Sequence, residues 1–346
     1  MIKLLAESSI EIGTGHIVES INIARMAQQH GISVELWVNF ETPAELLENL
    51  PCHVRIVESF SIDCLHQIIQ HLDHQQPTAI ITNFRQVTNA QIDILYGDDR
   101  QLVCIDEWGN AKINCDAVIN PSIVTEYHNY TSSKPGFCLF SGPEYLALSE
   151  EYKVLNQQSR QFESNIKQIV VSMGGTDRSG ATLRIIDSLF EWRRDVTKHI
   201  VIGAGFVLEA ELKEKLNYKP DRIVLHQNLP SLAKLLAVCD IGFTAGGNTL
   251  YELACVGTPA IVLFEDPHEE KQGRAFEENG FGMCLGPSIS TQSSHIYTAL
   301  NLLESPEKRQ AYSRQGQLLV DGGGTERILT SVLALVDFDS SESISH

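Results

Sequence analysis

Ile241-Gly242-Phe243-Thr244-Ala245-Gly246-Gly247-Asn248-Thr249-Leu250-Tyr251-Glu252-Leu253 is the stretch on which the fold is decided. A short apolar run ends in two adjacent glycines and passes into a segment whose Leu250, Leu253 and Ala254 share one helical face. That pattern reads as strand, tight turn and amphipathic helix. Paired glycines let the backbone approach a ligand closely. The helix that begins there presents N–H groups and the positive end of its dipole. Gly246 and Gly247 free the amides of an anion site, and Asn248 or Thr249 can bond a phosphate oxygen. Glu252 lies four residues beyond Asn248, on the same face and one turn deeper. A carboxylate repels a phosphate but suits the vicinal hydroxyls of a sugar. The spacing therefore fits a nucleotide, with diphosphate at the tip and ribose one turn along.

Two further glycine turns repeat the arrangement upstream. Ser172-Met173-Gly174-Gly175-Thr176-Asp177 follows the strand Ile169–Val171, and Thr176 offers a hydroxyl and an amide to a phosphate. Asp177 reads as the cap of the next helix. Gly13-Thr14-Gly15-His16 follows the strand Ile2–Ala6. A histidine in the first turn of a helix is favoured in its neutral form, ready to accept a proton, and the glycines admit a substrate. One turn site in each half of the chain implies a diphosphate held in a cleft between two domains.

Apolar runs alternate with helical patterns throughout, the rhythm of βαβ units and parallel sheets. The first half offers strands at Ile2–Ala6, Ser33–Val38, His53–Val57, Ala79–Thr82, Leu102–Ile105 and Ala117–Ile119. The rhythm falters between Tyr127 and Ile166, then restarts with Gln168–Met173, His199–Ile202, Ile223–Leu225, Ile241–Phe243 and Ala260–Leu263. Two Rossmann-like domains, 1–155 and 156–336, followed by a Ser-rich disordered tail at 337–346, are the expected organisation. The class is α/β.

The net charge of −18 argues against a nucleic-acid or anionic-membrane surface, so backbone amides rather than an arginine cluster are expected to meet the phosphates. The 8 cysteines are scattered without a CxxC pair, which reads as buried thiols of a cytoplasmic protein. No apolar run reaches membrane-spanning length. His268 beside Glu269 and Glu270 does not make a metal cluster, because adjacent helical positions do not face together. A nicotinamide site is disfavoured too, since the first turn carries a histidine and lacks the third glycine.

Together these segments resemble a known family. Gly13-Thr14-Gly15-His16, Gly142-Pro143-Glu144-Tyr145, Val171-Ser172-Met173-Gly174-Gly175-Thr176-Asp177, Ala245-Gly246-Gly247-Asn248-Thr249-Leu250-Tyr251-Glu252-Leu253 and Asp321-Gly322-Gly323-Gly324 occur in its order. They are similar to the UDP-sugar hydrolase of pseudaminic acid biosynthesis and its relatives among spore-coat polysaccharide proteins. Those share the GT-B fold with the lipid II-forming glycosyltransferase. The resemblance runs from about residue 2 to 328. It implies two facing Rossmann-like domains, UDP bound mainly by the second, and His16 as general base. Gly174, Gly175, Gly246 and Gly247 would stabilise the departing diphosphate without a metal or separate cofactor, UDP being part of the substrate. Glu252 would hold the ribose, Gln272 would lie near sugar or phosphate, and the backbone around Asn228 and Leu229 would hold the uracil.

Three positions depart from that family pattern. The arginine three residues after the histidine is Glu19, the aspartate before an aromatic is Asn83, and the arginine after the Gly-Pro-Glu-Tyr segment is Ser149. They belong to the first domain, where Gly13, Gly15, Glu19, Asn83 and Tyr145 would meet the sugar or acceptor. Glu19 is expected to recognise a cationic or hydroxyl-rich group. The sequence favours hydrolysis of a UDP-sugar at the anomeric carbon. Transfer of the sugar to an acceptor is the alternative, and non-catalytic binding the third reading. The oligomeric state is left open.

Overall fold

The computed structural model describes residues 1–9, 13–71, 78–109, 111–192, 195–203, 205–206, 208–218, 222–227 and 229–342. The chain divides into two compact units, Met1–Ser149 with Gly323–His346, and Glu150–Gly322.

Unit 1 is built from β1 (Ile2–Ala6), α1 (Gly15–Gln29), β2 (Val34–Asn39), β3 (His53–Val57), α2 (Ile62–Gln70), β4 (Thr78–Asn83), α3 (Asn89–Leu95), β5 (Arg100–Ile105), β6 (Ala111–Lys112), β7 (Ala117–Asn120), β8 (Tyr130–Thr131) and β9 (Cys138–Ser141). Its main sheet runs β3-β2-β1-β4-β5-β7-β9, while β6 and β8 pair separately. Every pairing within this sheet is parallel, as crossover connections require. The sheet is covered on both faces, so β1 is apolar at nearly every position. Leu4 packs with Ile17, Ile21 and Ala24 of α1 on one side. Leu5 packs with Leu65 and Ile68 of α2 and Ile92 of α3 on the other. The chain leaves β1 towards β2 in one direction and resumes at β4 in the other. That reversal opens a crevice at the carboxyl ends of β1 and β4, where such sheets hold ligands.

Unit 2 contains α4 (Glu150–Asn156), β10 (Gln168–Ser172), α5 (Ala181–Trp192), β11 (Thr197–Ile202), α6 (Glu209–Tyr218), β12 (Ile223–Gln227), α7 (Ala233–Val238), β13 (Ile241–Thr244), α8 (Asn248–Val256), β14 (Ala260–Phe264), α9 (Pro267–Glu278), β15 (Met283–Pro287), α10 (Ser293–Leu302) and α11 (Pro306–Leu319). The strand order β12-β11-β10-β13-β14-β15 is the doubly wound order, with its reversal between β10 and β13. The two glycine pairs leave the carboxyl ends of those two strands.

The last helix, α12 (Gly324–Glu342), belongs to unit 1 rather than to the second domain in which the pattern had placed it. Its Ile328, Leu329 and Val332 join the α1 side of the first core. Asp321-Gly322-Gly323-Gly324 is where the chain recrosses, and the glycines have steric reasons. Gly322 has φ +74°, and a side chain on Gly324 would stand 2.7 Å from the Leu146 carbonyl carbon. Of the tail expected to be disordered, the backbone stays helical to Glu342, and residues 343–346 lie outside the described residues.

Candidate functional site

His16 opens α1 directly after Gly15, with Gly13 at φ +81° allowing the turn. Its ring Nδ1 lies 3.0 Å from Asn83 Oδ1, at the carboxyl end of β4. The orientation of the Asn83 amide is settled by its other contacts. Its Nδ2 is 3.1 Å from the His16 carbonyl oxygen, 3.2 Å from Glu19 Oε2 and 3.4 Å from Ser20 Oγ. All three accept hydrogen bonds, so that end of the amide is the NH2. Oδ1 then faces the imidazole, and Nδ1–H donates to it. The second ring nitrogen, Nε2, is left with its lone pair, on a side chain that is half-buried. The arrangement orients an imidazole and fixes its tautomer, as a proton acceptor requires.

Glu19 is therefore not the substrate contact expected of it. It is 4% exposed and serves as an acceptor for Asn83, itself 1% exposed. The two departures at positions 19 and 83 form one coupled arrangement. A carboxylate at 83 would confront Glu19 in a buried space, whereas the neutral amide bridges Glu19 and His16. Tyr145 is likewise turned from the expected role. Its ring packs on Phe140, with centroids 5.8 Å apart, against the apolar core of unit 1. Ser149 ends the first unit.

Beyond β5 the turn Asp106-Glu107-Trp108-Gly109 supplies further acid groups. Burial pushes the Glu107 carboxyl upward, Glu19 and Asp106 push it further, and Arg85 opposes them. The groups that act on Glu107 include Glu19 and Arg85, which stand far from it in sequence.

In unit 2 the glycine turns stand where the fold puts ligands. Gly174 (φ +80°) and Gly175 are exposed, and Thr176 is half-buried beside them. The loop after β11 packs directly upon them. Gly205 N–H donates to the Gly175 carbonyl at 3.0 Å, and a side chain at Gly203 would stand 2.6 Å from Gly175 Cα. Asp177 is the helix cap expected of it. Its carboxylate accepts from Ala181 N–H at 2.7 Å and Thr182 N–H at 2.9 Å. It does so at φ +42°, a conformation non-glycine residues seldom adopt.

Gly246 is buried and Gly247 exposed. A side chain on Gly246 would stand 2.6 Å from Glu269 Cα, so glycine is what lets this turn meet the start of α9. Gly247 caps α8 without a side chain, which leaves the helix end to the backbone groups around Asn248 and Thr249, both half-buried. By contrast Asp266 caps α9, accepting from His268 and Glu269 N–H. Burial raises the Glu269 carboxyl to about 7, partly offset by the hydrogen bond it accepts from Glu265 N–H.

Glu252 lies on α8 as the spacing predicted. Burial raises its carboxyl to about 7, and the neighbouring Tyr152 hydroxyl of α4 works in the opposite direction. That hydroxyl is buried and makes no hydrogen bond of ordinary geometry. Tyr152 gave no signal in sequence because it stands a hundred positions away. Gln272 is not a ligand contact in this arrangement: it is 2% exposed, and its Oε1 accepts from the Tyr251 hydroxyl at 2.6 Å. Helical phase explains the difference, since Gln272 shares the inward face of α9 with Gly273 and Phe276. Leu229 is exposed after β12, and Asn228 lies outside the described residues. Among the described residues no group of three or more His, Cys, Asp or Glu side chains is placed to hold a metal ion. No described helix is long and apolar enough to cross a membrane.

No family model matches the chain. The spore coat polysaccharide biosynthesis protein SpsG of Bacillus subtilis is 23% identical over 353 aligned positions, covering 96% of this chain and 97% of that protein. An uncharacterized protein of Methanocaldococcus jannaschii is 24% identical over 77% of this chain, which spans only about half (56%) of that relative's length. A UDP-N-acetylglucosamine transferase of Carboxydothermus hydrogenoformans, acting on a pyrophosphoryl-undecaprenol acceptor, is 30% identical over 102 residues, 28% of either chain. Among solved structures, Acinetobacter baumannii MurG matches with a TM-score of 0.65 at 11% identity, over 96% of this chain and 100% of its own. The S. aureus MnaA–UDP structure gives 0.64 at 13%, over 97% and 96%. The chain has the GT-B fold. Its likeness to the spore-coat protein extends essentially end to end. None of these relatives is named as a hydrolase, so the expectation of water as acceptor finds no support in them.

Proposed function

We propose that this GT-B chain is a glycosyltransferase that moves a sugar from a UDP-sugar to a hydroxyl acceptor in polysaccharide assembly. The observation that carries the reading is the His16–Asn83 pair, which orients one ring nitrogen and leaves the other to take a proton. The transferase relative and the UDP-bound neighbour support the donor class. Unit 2 supplies the complementary part, glycine turns with backbone groups suited to a diphosphate.

In this mechanism His16 Nε2 takes the proton of an acceptor hydroxyl. The acceptor oxygen attacks the anomeric carbon, and the bond from that carbon to the diphosphate oxygen breaks. The electron pair leaves on UDP, whose charge is met by the amides around Gly174–Thr176 and Gly246–Thr249. The proton left on the imidazole passes to solvent.

The test has two stages. Calorimetry with UDP, GDP, CDP, TDP and NAD should show selective binding of UDP. UDP release from a panel of UDP-hexoses should then depend on an added saccharide acceptor. Equal release without acceptor restores hydrolysis, and absence of UDP binding removes the nucleotide-sugar reading altogether.

A further inference from the structure

The proposed transfer leaves one feature of unit 1 without a role. A cavity of about 310 Å3 is lined by Glu7, Arg85, Gln86 and Trp108. Glu7 follows β1, Arg85 and Gln86 follow β4, and Trp108 follows β5. The cavity thus opens at the carboxyl ends of β1, β4 and β5, beside the reversal of the sheet. Arg85 is two residues beyond Asn83, the partner of His16.

Its walls are held firmly. The Asp106 carboxylate accepts from Trp108 N–H at 3.2 Å and from Gly109 N–H at 2.9 Å, and the Tyr130 hydroxyl donates to the same oxygen. Gly109, at φ +66°, has no room for a side chain, which would stand 2.6 Å from Tyr127 Cα. On the other wall Arg85 N–H donates to Glu7 Oε1 at 2.7 Å, and the Arg85 guanidinium lies over the Trp108 ring, 5.6 Å from its centroid. This turn keeps the Trp108 indole 38% exposed, where an apolar ring gains little from the fold itself.

A partly exposed indole with polar neighbours matches one ligand class well. The C–H face of a pyranose can pack on the part of the indole left exposed beside the guanidinium, while its hydroxyls donate to Glu7 and accept from Gln86 or Arg85. The charges narrow the class. Glu7 accepts from the Arg85 backbone N–H, Glu107 feels the Arg85 charge and Asp106 adds a second carboxylate beside Glu107, an acidic surround that disfavours a diphosphate or other dianion. We propose that Glu7, Arg85, Gln86 and Trp108 form a subsite for an uncharged pyranose, the ring bearing the acceptor hydroxyl. Its role as acceptor site rests on the transferase reading, whereas binding of the ring to this cavity does not.

The experiment is saturation-transfer NMR on the full chain with methyl glycosides of glucose, galactose, N-acetylglucosamine and N-acetylgalactosamine. Inorganic pyrophosphate is the anionic competitor. At least one glycoside should bind without being displaced by pyrophosphate. Trp108→Ala should weaken that binding roughly tenfold and Trp108→Phe much less, since a ring restores the platform. UDP affinity and melting temperature serve as controls for a folded chain. The idea is overturned if no glycoside binds, if pyrophosphate displaces them, or if Gln86→Ala and Trp108→Ala both bind as the wild type does. Because UDP affinity is read separately, loss of the nucleotide reading and loss of this subsite are distinguishable.

Discussion

The two units carry the same sheet order around their first strand, yet they use the reversal point differently. In unit 2 the loops leaving β10 and β13 end in Gly174-Gly175 and Gly246-Gly247, and their chemistry is that of backbone amides. In unit 1 the equivalent places hold His16, in the first turn of the helix that follows β1, and Asn83, the last residue of β4, and their chemistry is that of side chains. A diphosphate needs fixed dipoles that never titrate, which backbone N–H groups supply. A proton transfer needs a titratable ring in one tautomer, which only a side-chain network supplies. On the proposed reading, one topology would serve charge stabilisation in one unit and acid–base chemistry in the other.

The comparison breaks most sharply at His16. If unit 1 supplies the base and unit 2 the nucleotide site, His16→Ala should lower turnover by roughly 10²–10⁴-fold and leave UDP affinity within about twofold. Steady-state kinetics with calorimetry separates the two effects. A parallel fall in UDP affinity would mean that the division of labour is wrong. The mirror experiment is Gly246→Ala. The added carbon meets the Glu269 backbone, which has no flexible end to yield. UDP affinity should fall by roughly tenfold or more, since one loop must move. A variant that binds UDP normally would show that the Gly246 turn lies outside the nucleotide site.

This contrast also explains what was readable in the amino-acid sequence. Glycine pairs after apolar runs announce a backbone site because the residue type itself is the signal; β10 and β13 stand within a residue of their expected bounds, and a helix, α8, follows the Gly246-Gly247 turn as expected. Side-chain networks are assembled from distant positions, so the pairing of residue 16 with 83 and of 19 with 83 was invisible. Gln272 was misjudged for a related reason: a polar residue near a motif reads as a ligand until helical phase shows it facing Tyr251. Besides the short β6–β8 pair, one strand of each main sheet is absent from the expected set. β9 is a short, half-exposed edge strand, and β15 carries Gly286 at φ +124° with Pro287 and a shift of register, all of which read as loop. The return of α12 to unit 1 was hidden because an amphipathic pattern declares a buried face without saying which core receives it.

Within unit 1 the network invites a double-mutant cycle. Asn83→Asp places a second carboxyl against Glu19, where the two must share a proton or repel. It should cost about 1–3 kcal/mol of stability in urea unfolding. Adding Glu19→Gln should recover most of that cost, because an amide can donate to the new carboxylate. If the two costs simply add, the residues are not coupled as the geometry indicates.

The smallest effect concerns Glu252 and distinguishes a ribose ligand from a merely structural carboxyl. Burial raises this group from 4.5 to about 7, so between those values the folded chain holds a proton that the unfolded chain has released. The folded state then binds more protons, and its contribution to stability falls as pH rises through that window. Glu252→Gln should therefore flatten the decline in melting temperature over the same range, with the remaining slope coming in part from Glu269. Ribose binding carries the opposite sign. Sugar hydroxyls donate to the ionised carboxylate, so affinity for the ligand should rise as pH rises through about 7. Uridine is the better probe, because the terminal phosphate of UDP titrates nearby. A few-fold rise in uridine affinity, lost in Glu252→Gln, places the ribose at this helix turn. A flat profile with an unchanged variant affinity would leave Glu252 and Tyr152 as packing partners of α8 and α4 and move the ribose elsewhere in unit 2.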